Sequence, residues 1–186
     1  MFAAHSYLKF LLASTNQHGI HSPFVYDLVT KGLYPETIAK SEILHLKSLA
    51  KNNKTPYKSL ELFVKTINFL KIHSVTCSGL VNPEKFLYDI QNSFHVDVQN
   101  SSTKSELFYL NLREKCVTGI LEIPLSDLVL ENKIVFVNNI HQNKKSYSLW
   151  QEWIQEPKIT VSIDLFYAGL LFIRPQQVKE HFMVRY

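Results

Sequence analysis

The sequence predicts an α/β protein built on a mostly parallel sheet, with an antiparallel hairpin near its C-terminus and a helical segment ahead of the sheet. Apolar residues in the first third of the chain recur at the spacing of amphipathic helices. Beyond residue 71, short β-branched runs alternate with helix-like segments, which is the pattern of parallel strands joined through helices. Two strand-like runs in close succession, 158–166 and 169–174, indicate the antiparallel edge.

The helical segment contains four predicted helices. Ser22 and Pro23 begin the second one, because serine accepts from free backbone N–H groups and proline suits the first helical position. Gly32 is its predicted end. The other three helices are placed at 2–13, 36–51 and 58–71. A turn at 52–57 separates a helical cap, residues 1–57, from an α/β domain, residues 58–186, and we expect the two to form one compact unit.

The sheet is predicted from seven strand-like runs, of which "KIVFVNN" at 133–139 is the clearest buried strand. The run 113–131 is β-branched but is broken by Gly119 and Pro124, so it receives no assignment. Helices are predicted at 83–92, after Asn82, and at 144–155. The strands are placed at 72–77, 94–99, 106–112, 133–139, 158–166, 169–174 and 181–186, with Tyr167, Ala168 and Gly169 in the hairpin turn.

Composition narrows the class of protein. A chain of 186 residues with 46% hydrophobic and 19% charged residues suits one globular domain and is too apolar for disorder. The longest apolar runs are too short for a membrane span, and the N-terminus lacks the charged region of a signal peptide, so we expect a cytoplasmic protein. Cys77 and Cys116 stand in no metal-ligand pattern, so we expect reduced thiols and no metal.

The charge pattern does not favour nucleic acid as a partner. The net charge is +4, and guanidinium groups occur only at Arg113, Arg174 and Arg185. Lysines are spread along the chain, with the densest pair at Lys144 and Lys145, whereas proteins that bind nucleic-acid backbones cluster these charges on one face. A nucleic-acid-binding module is therefore kept only as an alternative.

Three stretches of the chain resemble class I S-adenosylmethionine-dependent methyltransferases of a Bacteroidetes-type group. "HGIHSPFVYDL" at 18–28 is similar to that group's N-terminal HG-HSPF motif. "KIVFVNNIH" at 133–141 is similar to its fifth strand, which usually ends in Asp-Asp-Ile-His. The segment 156–186 resembles the group's closing hairpin and tail. The resemblance implies a Rossmann-like sheet in a shortened form, since the chain is short between the second and fourth strands of that fold.

The loop after the first predicted strand departs from the family pattern. "VTCSGLVNPEK" stands where the family carries a Glu-Leu-Gly-Thr-x-x-Gly type of loop, whose glycines admit the cofactor close to the backbone. Thr76 replaces the carboxylate of that loop, Gly79 is its one glycine, and Pro83 removes an N–H donor.

Amides replace the family's carboxylates at the other strand ends. The residue expected to hold the ribose is Gln99 or Asn100, the fourth strand ends near Asn111, and the Asp-Asp pair is Asn138-Asn139. An amide carries no charge and binds a divalent cation more weakly than a carboxylate does. If the ancestral site is retained, the resemblance assigns S-adenosylmethionine to Cys77, Ser78, Gly79, Gln99, Asn111 and Asn138.

Several other residues have both a functional and a structural interpretation. His18 and His21 are metal ligands or a polar loop before a capped helix, and the loop is favoured. His141 is a base or a structural residue at a strand end; the structural role is favoured, because the sequence shows no carboxylate partner. Cys77 is a nucleophile or a small buried residue, and the second is favoured. Trp150 and Trp153 stack on a ligand or belong to the core or to a partner-facing stripe, and Asp164 is expected to be structural.

These departures predict a degenerate methyltransferase-like protein without catalytic residues, which acts by binding a protein partner, by forming a homodimer or as a structural subunit. The alternatives are an active methyltransferase with an atypical cofactor loop and the nucleic-acid-binding module. We expect no bound cofactor under the first interpretation and S-adenosylmethionine under the second.

Overall fold

Over the residues that the structure describes, the protein is an α/β structure with a seven-stranded mixed sheet. The computed structural model describes residues 2–94, 98–100, 105–112 and 134–186. Its helices are α1 (Phe2–Ala13), α2 (Pro23–Asp27), α3 (Lys40–Asn52), α4 (Tyr57–Leu70), α5 (Pro83–Phe94) and α6 (Lys144–Trp153). Its strands are β1 (Ser74–Ser78), β2 (Gln99–Asn100), β3 (Leu107–Asn111), β4 (Ile134–Asn138), β5 (Val161–Asp164), β6 (Ala168–Phe172) and β7 (Glu180–Met183).

The strand order is β2-β1-β3-β4-β6-β5-β7. Strands β2, β1, β3 and β4 are parallel to one another, and β6 runs antiparallel between β4 and β5. Because β5 is thereby parallel to β4, the carboxyl ends of β1, β3, β4 and β5 lie at one edge of the sheet, called the carboxyl edge below. A mixed α/β sheet with an antiparallel hairpin agrees with the predicted fold class.

Both faces of the sheet are covered. One face packs with side chains of the N-terminal helices, α4 and α5 in the main buried cluster, which joins residues of the predicted cap such as Leu28 and Leu46 to residues of the sheet such as Tyr109 and Phe136. The other face packs against α6, whose Trp150 and Trp153 are buried with side chains of β3 and β4. Burial of apolar surface on both sides is the main stabilising contribution to such a sheet.

Residues near the two ends of the chain contact each other. Thr15 forms a parallel bridge with Val184, its N–H donates to Met183 O at 2.9 Å, and its carbonyl accepts from Arg185 N at 3.0 Å. The hydroxyl of Tyr34 donates to Arg185 O at 2.9 Å. The segment after β7 is therefore fastened to residues of the predicted cap.

The helix that begins at Pro23 is longer and less regular than predicted. The Ser22 side chain accepts from Val25 N as expected, but α2 passes directly into a π-helical turn over Leu28–Leu33. Gly32 lies inside that turn, so its prediction as the helix end is wrong. A Cβ at Gly32 would lie 2.6 Å from the Phe69 ring, so close packing on α4 explains the glycine.

Two strand predictions are also corrected. The predicted strand 94–99 begins too early, because Phe94 ends α5 with its ring buried in the main cluster on the apolar stripe of that helix. The predicted hairpin turn is two residues late, since the turn is formed at residues 165–167 and Ala168 and Gly169 already belong to β6. Phe166 adopts a φ of 65°, and its N–H donates to Asp164 Oδ1 at 2.8 Å, which fixes the turn there.

Among the described residues, no helix is both long enough and apolar enough to cross a membrane.

Candidate functional site at the carboxyl edge of the sheet

The structure brings most of the predicted cofactor positions together at the carboxyl edge. Cys77 lies beside Tyr109, Ser78 beside Leu110, and Asn111 beside Asn138 in the ladders of β1, β3 and β4. In open α/β sheets, ligands bind outside the carboxyl ends of the strands, because loops of different strands converge there. These positions therefore mark the candidate site.

Gln99 is the exception. It lies level with Ser74 at the first residue of β1. Ser78 lies four positions after Ser74 on β1, which corresponds to about 13 Å along the strand. The backbone thus places Gln99 away from the other five predicted positions.

Gly79 closes the loop after β1 onto the end of β3. Its φ is +77°, a conformation that residues with a Cβ rarely adopt. A Cβ at this position would overlap the backbone carbonyl of Asn111. The loop therefore approaches the protein's own backbone closely, in the place where the resemblance expects glycine to admit a cofactor.

The amides at the strand ends bond to one another and to two hydroxyls. Asn139 Nδ2 donates to Asn111 Oδ1 at 2.7 Å, and Asn138 Nδ2 donates to Thr55 Oγ1 at 3.1 Å and to the Tyr109 hydroxyl at 3.2 Å. All five residues are buried. Within the described part of the chain, Asn111 Nδ2 and Asn138 Oδ1 have no hydrogen-bond partner. We call Asn111, Asn138 and Asn139 with Thr55 and Tyr109 the amide cluster.

The electrostatic environment of the amide cluster disfavours charge. Burial raises the pKa of the Tyr109 hydroxyl, and hydrogen bonds with Thr55 and Asn138 lower it by less. Burial likewise raises the pKa of the neighbouring Cys77 thiol. A cysteine nucleophile requires the opposite shift, so the interpretation of Cys77 as a reactive thiol has no electrostatic support.

The prediction of a structural role for His141 depends on the lack of a carboxylate partner, and the structure shows such a partner. His141 Nε2 lies 2.8 Å from Asp164 Oδ2, and both side chains are buried. His141 follows β4 and Asp164 ends β5, so the carboxylate partner comes from a strand 23 positions later in the sequence. Local patterns could not show this pair, because it depends on the order of the strands.

The remaining candidates have structural environments. Trp150 and Trp153 are buried between α6 and the sheet, which confirms their place in the core. His18 and His21 are exposed in the segment before α2, as expected for a polar loop. In the ranges that the structure describes, there is no group of three or more histidine, cysteine, aspartate or glutamate side chains that could hold a metal ion. Cys116 lies outside the described residues.

Sequence reasoning missed three residues at this edge: Ser6, Thr55 and Tyr109. Ser6 had a detectable signal, because it stands four residues from both Phe2 and Phe10 and so interrupts an apolar stripe of α1 with a hydroxyl. Thr55 and Tyr109 had none, since one lies in a turn and the other in a continuous apolar strand.

Comparison of the chain with models of protein families, with curated proteins and with solved structures finds no match.

Proposed function

We propose that this protein is a shortened, degenerate relative of class I S-adenosylmethionine-dependent methyltransferases that does not transfer methyl groups and acts by binding protein. The observation that carries the proposal is the amide cluster. At the strand ends where the resemblance expects carboxylates, the chain has neutral amides that are buried and bonded to its own side chains.

Thr55 supports this interpretation. It belongs to the turn between α3 and α4, yet its hydroxyl accepts from the Asn138 amide at the end of β4. The Asn138 amide group, which a ligand at the end of β4 would need as a donor, is therefore already bonded to a residue of the predicted cap. Unpaired carboxylates buried in the same place would cost several kcal/mol, whereas amides can be buried with hydroxyl partners.

The fold is consistent with the proposed ancestry. Parallel strands are followed by an antiparallel C-terminal hairpin, as the resemblance implies. The resemblance also implies a helix and a further strand between the second and fourth strands of the family fold, and here only residues 101–106 separate β2 from β3. The short connection agrees with a shortened member.

The surface of α1 supports protein binding. Leu8 is 61% exposed and Leu12 is 90% exposed on the side of the helix opposite the buried Ser6 and Phe10. The helix has no acidic residue and one lysine, Lys9, so this face offers leucine side chains rather than a pattern of opposite charges for contact. An identical α1 face can pack against these leucines without charge complementarity. We therefore propose that a second copy of this chain binds to this face.

Calorimetric titration of the purified full-length chain with S-adenosylmethionine and S-adenosylhomocysteine tests the loss of the cofactor. We expect no saturable heat up to millimolar ligand in a sample that melts cooperatively. Micromolar binding would contradict the proposal and would support an active methyltransferase with an atypical loop.

Light scattering coupled to size exclusion tests the proposed self-association. We expect a dimer for the wild type and a monomer for Leu8→Glu/Leu12→Glu, with Leu44→Glu, at an exposed leucine of α3, as the matched control that remains dimeric. A monomeric wild type at 100 μM or above would rule out a second copy as the occupant.

A further inference from the structure

A serine, a histidine and an aspartate form a hydrogen-bonded chain at the carboxyl edge, beside the amide cluster. Ser6 Oγ lies 2.5 Å from His141 Nδ1, and His141 Nε2 lies 2.8 Å from Asp164 Oδ2. Ser6 comes from α1, 135 positions before His141. His141 and Asp164 lie at the carboxyl ends of β4 and β5, which are parallel to each other, and this is where α/β folds place reactive side chains.

The direction of the hydrogen bonds follows from their chemistry. The Asp164 carboxylate can only accept, so His141 Nε2 carries the proton and donates to it. In a neutral imidazole the other nitrogen is then an acceptor, so Nδ1 accepts from the Ser6 hydroxyl. This is the arrangement in which an imidazole can remove the proton of a serine, with the two ring nitrogens exchanged relative to the usual triad.

The surrounding groups hold the imidazole in one orientation. Asp164 Oδ1 accepts from Phe166 N at 2.8 Å, which fixes the carboxylate. The His141 ring stacks on Phe166, with ring centres 4.7 Å apart, and contacts the rings of Tyr147 and Phe10. Only 3% of the His141 side chain and 1% of the Asp164 side chain are exposed, so water does not compete for these bonds.

A cavity opens onto the serine. It has a volume of about 210 Å³, and Ser6 and His141 both contribute to its lining. Its walls are apolar at Phe2, Phe10, Tyr147 and Met183, and Lys9 supplies a cation. Lys9 follows Ser6 by three positions on α1, so the two side chains project from neighbouring parts of the helix surface.

We propose that Ser6, His141 and Asp164 form a nucleophilic triad and that the adjoining cavity binds a small acyl ester. Ser6 Oγ attacks the ester carbonyl carbon while its proton passes to His141 Nδ1. The tetrahedral intermediate then expels the alcohol, which takes that proton and leaves an acylated serine. Water releases the acyl group as a carboxylic acid by the same two proton transfers and restores the serine.

Each group has a separate role in this reaction. Ser6 and His141 are the catalytic residues, because they touch the reacting atoms. Asp164 is a positioning residue, which fixes the tautomer and stabilises the imidazolium. The Lys9 ammonium stabilises the negative oxygen of the tetrahedral intermediate. The volume and the apolar walls select a short acyl chain. None of these steps uses S-adenosylmethionine. The proposed triad and the proposed function are therefore tested separately, and the failure of one does not contradict the other.

The test uses the full-length chain with a fluorophosphonate probe and with p-nitrophenyl acetate. We expect a covalent adduct on Ser6, located by peptide mass spectrometry, and a burst of nitrophenol close to one equivalent per chain. Ser6→Ala should lose both, and His141→Gln should slow the burst by about 100-fold. For Asp164→Asn we expect a lower kcat with KM within about twofold, which a purely structural role would not produce.

Ser14→Ala is the matched control. Ser14 follows α1, is 7% exposed like Ser6, and its hydroxyl has no hydrogen-bond partner among the described residues. This variant should retain the adduct and the burst. If folded wild-type protein forms no adduct on Ser6, or if Ser6→Ala hydrolyses the ester as fast as the wild type, the proposal is overturned. The adduct experiment needs no variant, so misfolding of a variant leaves it decisive.

Discussion

Asn138 shows how one neutral side chain can determine the chemistry of a strand end. Its amide nitrogen donates to two hydroxyls, those of Thr55 and Tyr109, in a fully buried position. An aspartate of the same shape would bring a charge into this buried environment, where a charge is costly unless it is paired. The neutral amide of Asn138 can therefore be buried in the amide cluster without the cost of a buried charge.

Asn138→Asp should destabilise the protein at neutral pH. We expect a loss of about 2–4 kcal/mol, partly offset because the hydroxyls of Thr55 and Tyr109 can rotate to donate to the carboxylate. Burial raises the folded-state pKa of the new carboxyl above the value near 3.9 of the unfolded chain, so the loss is small near pH 4 and grows as the pH rises. Urea unfolding at pH 4.5 and pH 7 measures the difference.

The control for this substitution is Gln176→Glu, which adds the same charge at an exposed position between β6 and β7. It should change the free energy of unfolding by less than about 0.5 kcal/mol at both pH values. Equal effects of the two substitutions would contradict the assignment of Asn138 to a closed, uncharged environment.

Cys77 should be unreactive in the folded protein. Burial raises the pKa of its thiol, so the thiolate fraction at pH 8 is far below that of a free cysteine. We expect iodoacetamide to modify Cys77 slowly in the native state and completely in 6 M guanidinium, as followed by mass spectrometry of the Cys77 peptide. Native modification at the rate of free cysteine would show that the thiol is more accessible than the structure indicates.

At the scale of elements, β6 and α6 meet at a position where only glycine fits. A Cβ on Gly169 would lie 2.5 Å from the Trp150 ring, and the backbone of Gly169 has no positive φ, so the constraint is one of space alone. Because Gly169 has no side chain, the Trp150 ring of α6 can pack directly against the backbone of β6.

Gly169→Ala should cost about 1–3 kcal/mol of stability, because the added methyl group overpacks this contact. In a Trp150→Leu background the same change should cost close to zero, since the smaller side chain leaves room for the methyl group. Urea unfolding of the four proteins gives the coupling free energy. Equal costs of the alanine in both backgrounds would mean that another contact sets the limit at this position.

The elements that could be predicted are those with a strong local signal. The apolar run 133–139 contains β4, Pro83 starts α5, and Asn143 caps α6 where the predicted helix begins. The π-helical turn around Gly32 and the position of the hairpin turn could not be predicted. They depend on Phe69 and Asp164, whose contacts with these segments exist only in the folded chain. The hydrogen bond between Ser6 and His141 could not be predicted for the same reason, since it joins residues 135 positions apart.

At the scale of the whole molecule, several buried or half-buried hydroxyl and thiol groups share one electrostatic property. Burial raises the pKa of Cys77, Tyr109 and Tyr186 above their ordinary values of 9.0 for cysteine and 10.0 for tyrosine. For Tyr186, the hydrogen bond with Glu61 and the charge of that carboxylate raise it further. The folded protein therefore retains protons that the unfolded chain releases in alkali.

Stability should be constant between about pH 7.5 and 8.5 and should fall as the pH rises above 9, because the unfolded state then binds fewer protons than the folded state. Urea midpoints at pH 8, 9, 10 and 10.5 measure the slope. Tyr109→Phe should flatten the alkaline decline, whereas Tyr88→Phe, at an exposed tyrosine, should leave it unchanged. A midpoint independent of pH over this range would contradict the environments assigned to these groups.

The bridge between Thr15 and Val184 has a consequence for the order of folding. The edge of the sheet beyond β5 is formed by β7, and the segment after β7 bonds to Thr15 and to Tyr34, the latter 151 positions away in sequence. Contacts of such long separation form slowly, because they close a large loop. During synthesis on the ribosome, Thr15 and Tyr34 cannot form these bonds until the segment after β7 has left the ribosome, and their apolar neighbours remain accessible to chaperones until then.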